Sequence, residues 1–172
     1  MPRVSRRLSA RAWRYVASVE AIDVQGLVDA GVRLVLLDRD NTVVPRDTKR
    51  PPASALAWLD EVRAAGIKTC VVSNNFHTGQ VQSSARELGC AAVDHAMKPA
   101  PFALERAMRL EGEGREATVM VGDQVFTDVV AANLAGVRAI LVRPQSRRDL
   151  WYTQIFRIFE HLALLGVTFE GE

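Results

Sequence analysis

The sequence of 172 residues has only two cysteines, Cys70 and Cys90, and no run of about 18 consecutive apolar residues. Two cysteines without paired spacing are too few for a disulfide framework or a zinc site, so both are interpreted as small core residues in a reducing compartment. The lack of a long apolar run argues against a membrane-spanning helix. Arg11 and Arg14 interrupt the early apolar residues, which argues against a signal peptide. A cytoplasmic protein is therefore expected.

Acidic residues are also missing from the start of the chain, where none precedes Glu20. Residues 1–19 carry a formal charge of +5, against +2 for the whole chain. We therefore expect a basic N-terminal arm, residues 1–19, and a single domain, residues 20–172, whose length is typical of one domain. An arginine-rich arm suits an anionic lipid surface, which would place the protein peripherally at the inner face of the membrane. It also suits RNA or no partner at all, and these alternatives stay open.

Short apolar runs alternate with segments of helical periodicity after the arm. Continuously apolar strands of this length are typical of a parallel sheet covered by helices on both faces. The expected fold is therefore α/β, a doubly wound parallel sheet of the Rossmann-like type. The strands are predicted at residues 33–37, 67–72, 91–93, 118–121 and 139–142, and the helices at residues 54–65, 78–88, 101–110 and 128–134.

Polar side chains follow four of these strands at the point where each strand ends. Ligands of doubly wound sheets bind outside the carboxyl ends of the strands, so we expect these side chains to converge on one crevice. In chain order they are Asp38-Arg39-Asp40-Asn41-Thr42, Ser73-Asn74-Asn75, Lys98-Pro99, and Gly122-Asp123-Gln124 with Asp128 close behind.

The chemistry of this crevice follows from its charges. Asp38, Asp40 and Asp123 would repel one another unless a hard cation lay among them, and oxygen ligands suit Mg²⁺. Lys98 and the hydroxyl of Ser73 can bind the oxygens of a phosphate. Asp38 is the candidate nucleophile, which would form an aspartyl-phosphate. Asp40 is the candidate general acid and base, a role that requires it to carry a proton before the leaving group departs.

The order of these motifs resembles that of the haloacid dehalogenase superfamily of phosphohydrolases. The resemblance implies that Asp38 is nucleophile and metal ligand, and that Asp40 ligates Mg²⁺ through its backbone carbonyl besides acting as acid and base. Asp123 would be a further metal ligand. The matched motifs are DxDx[TV] at Asp38–Thr42, the strand-end hydroxyl at Ser73, the lysine at Lys98, and GDxxxxD at Gly122–Asp128. The residues implied to hold the phosphoryl group are Ser73, Asn74 and Lys98, and those implied to support the ligands from behind are Asp128 and Thr42.

A finer resemblance, over about residues 15–160, is to the YqeG-like subgroup, which is related to the phosphatidylglycerophosphate phosphatases. Residues 121–128, residues 72–75 and the pair Arg147-Arg148 carry it. Arg39 departs from the subgroup, which usually has an apolar residue there. The Asp-Arg-Asp form is commoner in histidinol-phosphate and heptose-bisphosphate phosphatases, but the cysteine and histidine zinc loop of those relatives is missing from this sequence.

The gaps between motifs are too short for a cap domain, so the expected fold is capless and its crevice open. The expected function is a Mg²⁺-dependent phosphomonoester hydrolase acting on a phosphorylated substrate, with phosphatidylglycerophosphate as one candidate. The alternatives are a soluble sugar- or nucleotide-phosphate phosphatase and a non-catalytic RNA- or ribosome-binding module. The broad apolar face of residues 150–165 is interpreted either as a last helix packed on the sheet or as an amphipathic surface that meets lipid.

Overall fold

The computed structural model describes residues 9–145 and 163–171. Short 3₁₀ turns lie at Val19–Ala21 and Arg115–Ala117, and a π-helical turn spans Val125–Val129. The strands are β1 (Arg14–Val16), β2 (Leu34–Leu37), β3 (Lys68–Val72), β4 (Ala91–Val93), β5 (Thr118–Gly122) and β6 (Arg138–Val142). The helices are α1 (Val24–Asp29), α2 (Ala53–Ala64), α3 (Thr78–Leu88), α4 (Phe102–Glu111) and α5 (Val130–Ala135).

These strands form one parallel sheet in the order β1-β6-β5-β2-β3-β4. The chain runs outward from β2 to β3 and β4, and then returns to β5 on the other side of β2. The direction therefore reverses between β2 and β5, and at such a point a crevice opens at the carboxyl ends of the strands. The predicted doubly wound parallel sheet is confirmed. In the described residues 38–52 and 73–90, no additional domain is inserted.

Apolar side chains fill both faces of the sheet, which explains why its central strands are apolar at every position. In β2, Val35 packs in a buried cluster that includes Leu59 of α2. Its neighbour Leu36 points to the opposite face, into a cluster that includes Leu104 of α4. Helices α1, α2 and α3 thus cover one face, and helices α4 and α5 cover the other.

Two elements, α1 and β1, are not predicted by the sequence pattern. Helix α1 has only six residues and contains Gly26, whose flexibility lowers helix propensity. Strand β1 has only three residues and pairs with β6, Tyr15 lying opposite Leu141. Part of the basic arm therefore belongs to the sheet, while the division of the chain after residue 19 stays a prediction. The helix predicted at residues 128–134 is preceded by the π-helical turn and begins as α5 at Val130.

The two chain ends of the described structure meet beside β1. The amide of Ala17 donates to the carbonyl of Glu170 at 2.8 Å, and the amide of Glu170 donates to the carbonyl of Tyr15 at 2.8 Å. The guanidinium of Arg14 forms an ion pair with the Glu170 carboxylate. The ring of Phe169 is 6% exposed and meets the Tyr15 ring edge to face, with centroids 5.8 Å apart.

The predictions for the outer parts of the chain fall mostly outside the described residues. Residues 1–8 hold three of the five arginines of the arm, and residues 146–162 hold most of the proposed C-terminal apolar face. Lipid or RNA binding by the arm and lipid contact by the C-terminal face therefore stay predictions. Residues 9–145 and 163–171 contain no helix with the length and apolar character that crossing a membrane requires.

Both cysteines are free thiols: Cys70 is buried and Cys90 is half-buried. Burial raises the pKa of the Cys70 thiol to about 12, which keeps it in the unreactive thiol form. The interpretation of Cys70 as a core residue is confirmed.

The packing of Phe169 predicts that the C-terminal segment stabilises the fold. Phe169→Ala should lower the free energy of unfolding by about 3 kcal/mol, because a buried aromatic ring is replaced by a cavity. Urea denaturation followed by circular dichroism measures this. The matched control is Leu110→Ala, since Leu110 is 63% exposed and its truncation should cost less than about 0.5 kcal/mol. Equal costs for the two variants would contradict the role given to Phe169.

Candidate active site

Asp38 is positioned by the sheet and by a tight loop that follows β2. Its amide donates to the carbonyl of Val121 in β5 at 2.9 Å, which extends the sheet pairing by one residue. The chain then folds back, because the amide of Val44 donates to the Arg39 carbonyl at 2.9 Å. Asn41 completes this loop with a φ of 66°, a left-handed conformation that asparagine tolerates. The side chain of Asp38 therefore points out of the sheet edge on a rigid support.

Lys98 enters the same space from the loop after β4. The side chain of Asn74 holds its backbone at two points, donating from Nδ2 to the Lys98 carbonyl at 3.1 Å and accepting the Lys98 amide at 2.8 Å. The Nζ atom lies 2.7 Å from Asp38 Oδ1 and 2.6 Å from Asp128 Oδ1, and the side chain is 1% exposed. Burial opposes the charge, but the carboxylates of Asp128 and Asp38 raise the pKa of Lys98 overall. Lys98 is therefore a buried, charged ammonium.

The π-helical turn after β5 brings Asp128 to Lys98. The Gln124 amide donates to Asp128 Oδ2 at 3.2 Å, and the Asp128 amide donates to the Gln124 carbonyl at 3.0 Å. A Cβ at Gly122 would lie 2.3 Å from the Asp128 carboxyl carbon, closer than any side chain tolerates. Glycine at position 122 therefore creates the space in which the Asp128 carboxylate lies.

Asp38, Asp123 and Asp128 form an acidic cluster, with one carboxylate oxygen of each within 4.8 Å of the others. Thr42 Oγ1 lies 3.3 Å from Asp38 Oδ2 and 3.3 Å from Asp123 Oδ1. Burial, reinforced by the charges of Asp38 and Asp128, raises the pKa of Asp123, although Arg46 and Lys98 act in the opposite direction. Burial likewise raises the pKa of Asp128 to about 6 against the effect of Lys98.

The donor set of this cluster fits a hard divalent cation. Asp123 Oδ2 is buried and has no hydrogen-bond partner in the described residues, and a buried oxygen of this kind normally has one. Carboxylate oxygens are the ligands that Mg²⁺ prefers. Asp38 and Asp123 can supply them, as the sequence predicts. Asp128 lies in the same cluster, whereas the motif match implies only that it supports the ligands from behind.

The carboxylate of Asp40 is held apart from this cluster by Arg39. The Arg39 guanidinium forms an ion pair with Asp40, and its Nε donates to Ser84 Oγ of α3 at 2.8 Å. Asp40 nevertheless lines the same cleft as Asp38 and Lys98. The metal contact implied for Asp40 is through its backbone carbonyl, and that contact stays a prediction.

A cleft of about 60 Å³ collects most of the predicted site residues. Ser73, like Asp123 and Thr42, is not part of its lining. The Ser73 side chain is buried, and its Oγ accepts the amide of Asn75 at 3.1 Å. Its role in holding the phosphoryl group stays a prediction. The cleft is lined by Asp38, Asp40, Arg46, Asn74, Lys98, Gln124, Thr127 and Asp128.

The sequence motifs imply no role for three residues of this lining: Arg46, Gln124 and Thr127. Thr127 Oγ1 and Gln124 Oε1 lie 3.0 Å apart within the π-helical turn. The sequence does indicate that Gln124 and Thr127 lie near the site, because both stand between Asp123 and Asp128. A turn that brings these two carboxylates together also brings the residues between them to the cleft. Arg46 gives no comparable signal, since only the folded loop after β2 returns it to the cleft.

A model of the haloacid dehalogenase-like hydrolases matches residues 4–136, which is more than half of the chain. The chain belongs to this family. It is an enzyme, a haloacid dehalogenase-type phosphatase, so the non-catalytic alternative is not supported.

Two curated relatives of this haloacid dehalogenase-like chain carry phosphatase names. It is 31% identical over 157 residues to "Probable phosphatase YqeG" of Bacillus subtilis, covering 91% of each chain. It is 26% identical over 148 residues to "Phosphatidylglycerophosphate phosphatase 1, chloroplastic/mitochondrial" of Arabidopsis thaliana. That match covers 78% of this chain and 41% of the plant protein.

Two solved structures share the haloacid dehalogenase-like fold. An uncharacterized protein from Listeria monocytogenes superposes with a TM-score of 0.55 at 20% identity, covering 78% of this chain and 98% of that one. The cobalt-bound deoxy-D-mannose-octulosonate 8-phosphate phosphatase of Haemophilus influenzae superposes with a TM-score of 0.53 at 15% identity. The second match covers 79% of this chain and 89% of that one. Both confirm the fold.

The raised pKa values of Asp123 and Asp128 predict how pH changes stability. Between about pH 4 and 6 the folded protein binds more protons at Asp128 than the unfolded chain does, so metal-free stability should fall as the pH rises through this range. Mg²⁺ competes with these protons and should stabilise the protein more at pH 8 than at pH 5. At ten times its Kd the gain would be about 1.4 kcal/mol, or about 3–6 °C in Tm.

Thermal unfolding with Mg²⁺ or EDTA at both pH values measures this effect. Asp123→Asn should remove most of the Mg²⁺ response at pH 8, whereas Asp60→Asn, which changes an exposed carboxylate of α2, should keep it. A Mg²⁺ response of the same size at pH 5 and pH 8 would contradict metal binding by this cluster.

Proposed function

We propose that this phosphatase is a Mg²⁺-dependent phosphomonoester hydrolase that forms an aspartyl-phosphate on Asp38. The observation that carries the proposal is the position of Lys98 Nζ, 2.7 Å from Asp38 and 2.6 Å from Asp128 beside the buried Asp123. A lysine held among carboxylates in a cleft can neutralise the charge of a phosphoryl group as it approaches the nucleophile. A hydrophobic core without a functional site rarely contains so many charged groups, because their desolvation is costly.

The reaction would proceed in two steps. In the first, a carboxylate oxygen of Asp38 attacks phosphorus, the bond from phosphorus to the ester oxygen breaks, and Asp40 gives its proton to the departing alkoxide. In the second, Asp40 takes a proton from a water that attacks the same phosphorus, which releases inorganic phosphate and restores Asp38. Lys98 would pair with the Asp38 carboxylate before the attack and with the phosphoryl oxygens of the aspartyl-phosphate after it.

The acidic cluster of Asp38, Asp123 and Asp128, with the backbone carbonyl of Asp40, is proposed to hold the Mg²⁺. When bound, the ion supplies positive charge to the phosphoryl oxygens and orients them for in-line attack. Thr42 would keep the Asp38 and Asp123 carboxylates in place, since its hydroxyl lies 3.3 Å from both. Ser73 and Asn74 are proposed to support the phosphoryl group from the β3 side.

Phosphatidylglycerophosphate is the proposed substrate. Two observations support it: the similarity to the plant enzyme of that name, and the open edge of the sheet, which has no inserted domain in residues 38–52 or 73–90. A crevice that no inserted domain covers at these two places admits a phosphate on a large body. Soluble sugar and nucleotide phosphates are the alternative, and a panel of lipid, sugar and nucleotide phosphomonoesters with Mg²⁺ or EDTA separates them.

The nucleophile assignment predicts the effect of Asp38→Asn. This change keeps the shape of the side chain but removes the attacking charge and a metal ligand, so turnover of every phosphomonoester should fall by orders of magnitude. Phosphate release by the purified variant measures it, with circular dichroism to verify folding. Near wild-type turnover in folded Asp38→Asn would rule out the mechanism, and Asp60→Asn is the matched control that should retain activity.

The role of Asp40 predicts a dependence on the leaving group. Asp40→Asn should slow hydrolysis of an alkyl phosphate by about 10²-fold or more, because an alkoxide needs a proton to depart. It should slow p-nitrophenyl phosphate far less, since a nitrophenolate departs without one. Arg39→Met removes the ion pair but keeps the Asp40 carboxylate, so its alkyl-to-aryl difference should be smaller than that of Asp40→Asn. If Asp40→Asn slows both substrates equally, Asp40 is not the general acid.

A further inference from the structure

A groove of about 860 Å³ lies beside the cleft and is shared with it at three residues, Asp40, Arg46 and Asn74. The cleft itself, at about 60 Å³, has room only for a small group. Sites for whole small molecules have volumes of about 300–1,000 Å³, so the groove has room for a sizeable organic group. A substrate whose phosphate lies against Asp38 would place its leaving group here.

Arg46 lies at the junction, because it lines both the cleft and the groove. Its Nε is buried and has no hydrogen-bond partner in the described part of the chain. A buried donor without a partner is costly, and an acceptor supplied by a ligand would remove that cost. Guanidinium groups bind phosphate oxygens in a fixed, often bidentate geometry. Arg46 is therefore suited to bind an anion next to the reacting phosphate.

Lys49 adds a second cation to the same wall of the groove. The amide of Lys49 donates to the carbonyl of Pro45 at 2.9 Å, a turn that keeps Arg46 and Lys49 on one short loop. Three other charged side chains line the groove: Arg39, Asp40 and Glu87. Arg39 is bound by Asp40 and Ser84, and Glu87 lies on α3.

The start of α3 also faces the groove, through His77, which precedes the helix, and through Gly79 and Gln80 of its first turn. This turn contains no acidic residue, and the amides at the start of a helix carry a partial positive charge. The start of α3 therefore adds positive potential to that of Arg46 and Lys49, while the acids of the groove, Asp40 and Glu87, lie at other positions of its lining.

We propose that Arg46 and Lys49 form a subsite for a second phosphate, carried by the leaving group of the substrate. This inference rests on the proposed phosphomonoesterase activity and adds to it a preference for substrates with two phosphate groups. The second phosphate is a phosphodiester in a phospholipid headgroup or a phosphate of a soluble compound. Both sources present the same singly or doubly charged oxygens to Arg46.

The test compares kcat/KM for glycerophosphoglycerophosphate, which has a second phosphate, with kcat/KM for glycerol 3-phosphate, which has none. The wild-type ratio should be well above one. Arg46→Gln should lower this ratio about tenfold or more, the usual effect of losing a hydrogen bond to a charged group. Lys49→Gln should lower it less, because Lys49 lines only the groove.

The matched control is Arg115→Gln, which removes an exposed arginine at the amino end of β5, the opposite edge of the sheet. Its ratio should equal that of the wild type. An equal loss on both substrates in Arg46→Gln would mean that Arg46 binds the reacting phosphate, and it would overturn the subsite. A wild-type ratio near one would overturn it as well, while leaving the phosphatase proposal intact.

Binding measurements separate the subsite from the activity. Calorimetry with the Asp38→Asn protein, which should not turn over substrate, should show tighter binding of glycerophosphoglycerophosphate than of glycerol 3-phosphate. The additional Arg46→Gln change should remove that difference; if it persists, the subsite is refuted. If no phosphomonoester is hydrolysed by the wild type, the proposed function fails independently of this result.

Dioleoyl phosphatidylglycerophosphate in mixed micelles distinguishes the two sources of the second phosphate, a phospholipid headgroup and a soluble compound. A higher kcat/KM for this lipid than for glycerophosphoglycerophosphate indicates the phospholipid.

Discussion

The close packing of three carboxylates beside one lysine is the constraint on which the site depends. One carboxylate oxygen each of Asp38, Asp123 and Asp128 lies within 4.8 Å of the others. Lys98 supplies a compensating charge at 2.7 Å from Asp38 and 2.6 Å from Asp128. Such a cluster is stable only if each charge is held in place by well-formed contacts. The surrounding backbone provides them, through the pairing of Asn74 with the Lys98 peptide and the π-helical turn at Val125–Val129.

The same cluster would place catalysis and metal binding at one site. A partly uncompensated set of carboxylates attracts a cation, and a cation attracts the oxygens of a phosphate. Lys98 alone cannot neutralise three carboxylates, and Asp123 Oδ2 has no hydrogen-bond partner among the described residues. A metal ion bound there would supply the missing positive charge.

Selectivity would lie in the loop after β2 and in α3, because these elements line the groove beside the cleft. This loop supplies Asp40, Arg46 and Lys49 to the groove, and α3 supplies the opposite wall with Ser84 bound to Arg39. Arg39 was unexplained in the sequence; in the structure it anchors Asp40 to α3. The leaving group would therefore be recognised by residues that lie next to those that position Asp40.

The sequence by itself determined the parallel sheet, four of its helices to within a few residues, and the edge where Asp38, Lys98 and Asp123 meet. It could do so because apolar runs report burial on both faces, and because parallel strands all end at one edge. Tertiary structure alone decided the rest. Strand β1 exists through pairing with β6, Asp128 reaches Lys98 because a π-helical turn closes over Gly122, and Arg46 returns to the cleft only when the loop folds. These outcomes depend on contacts between residues far apart in the chain or on loop geometry, which local sequence patterns do not encode.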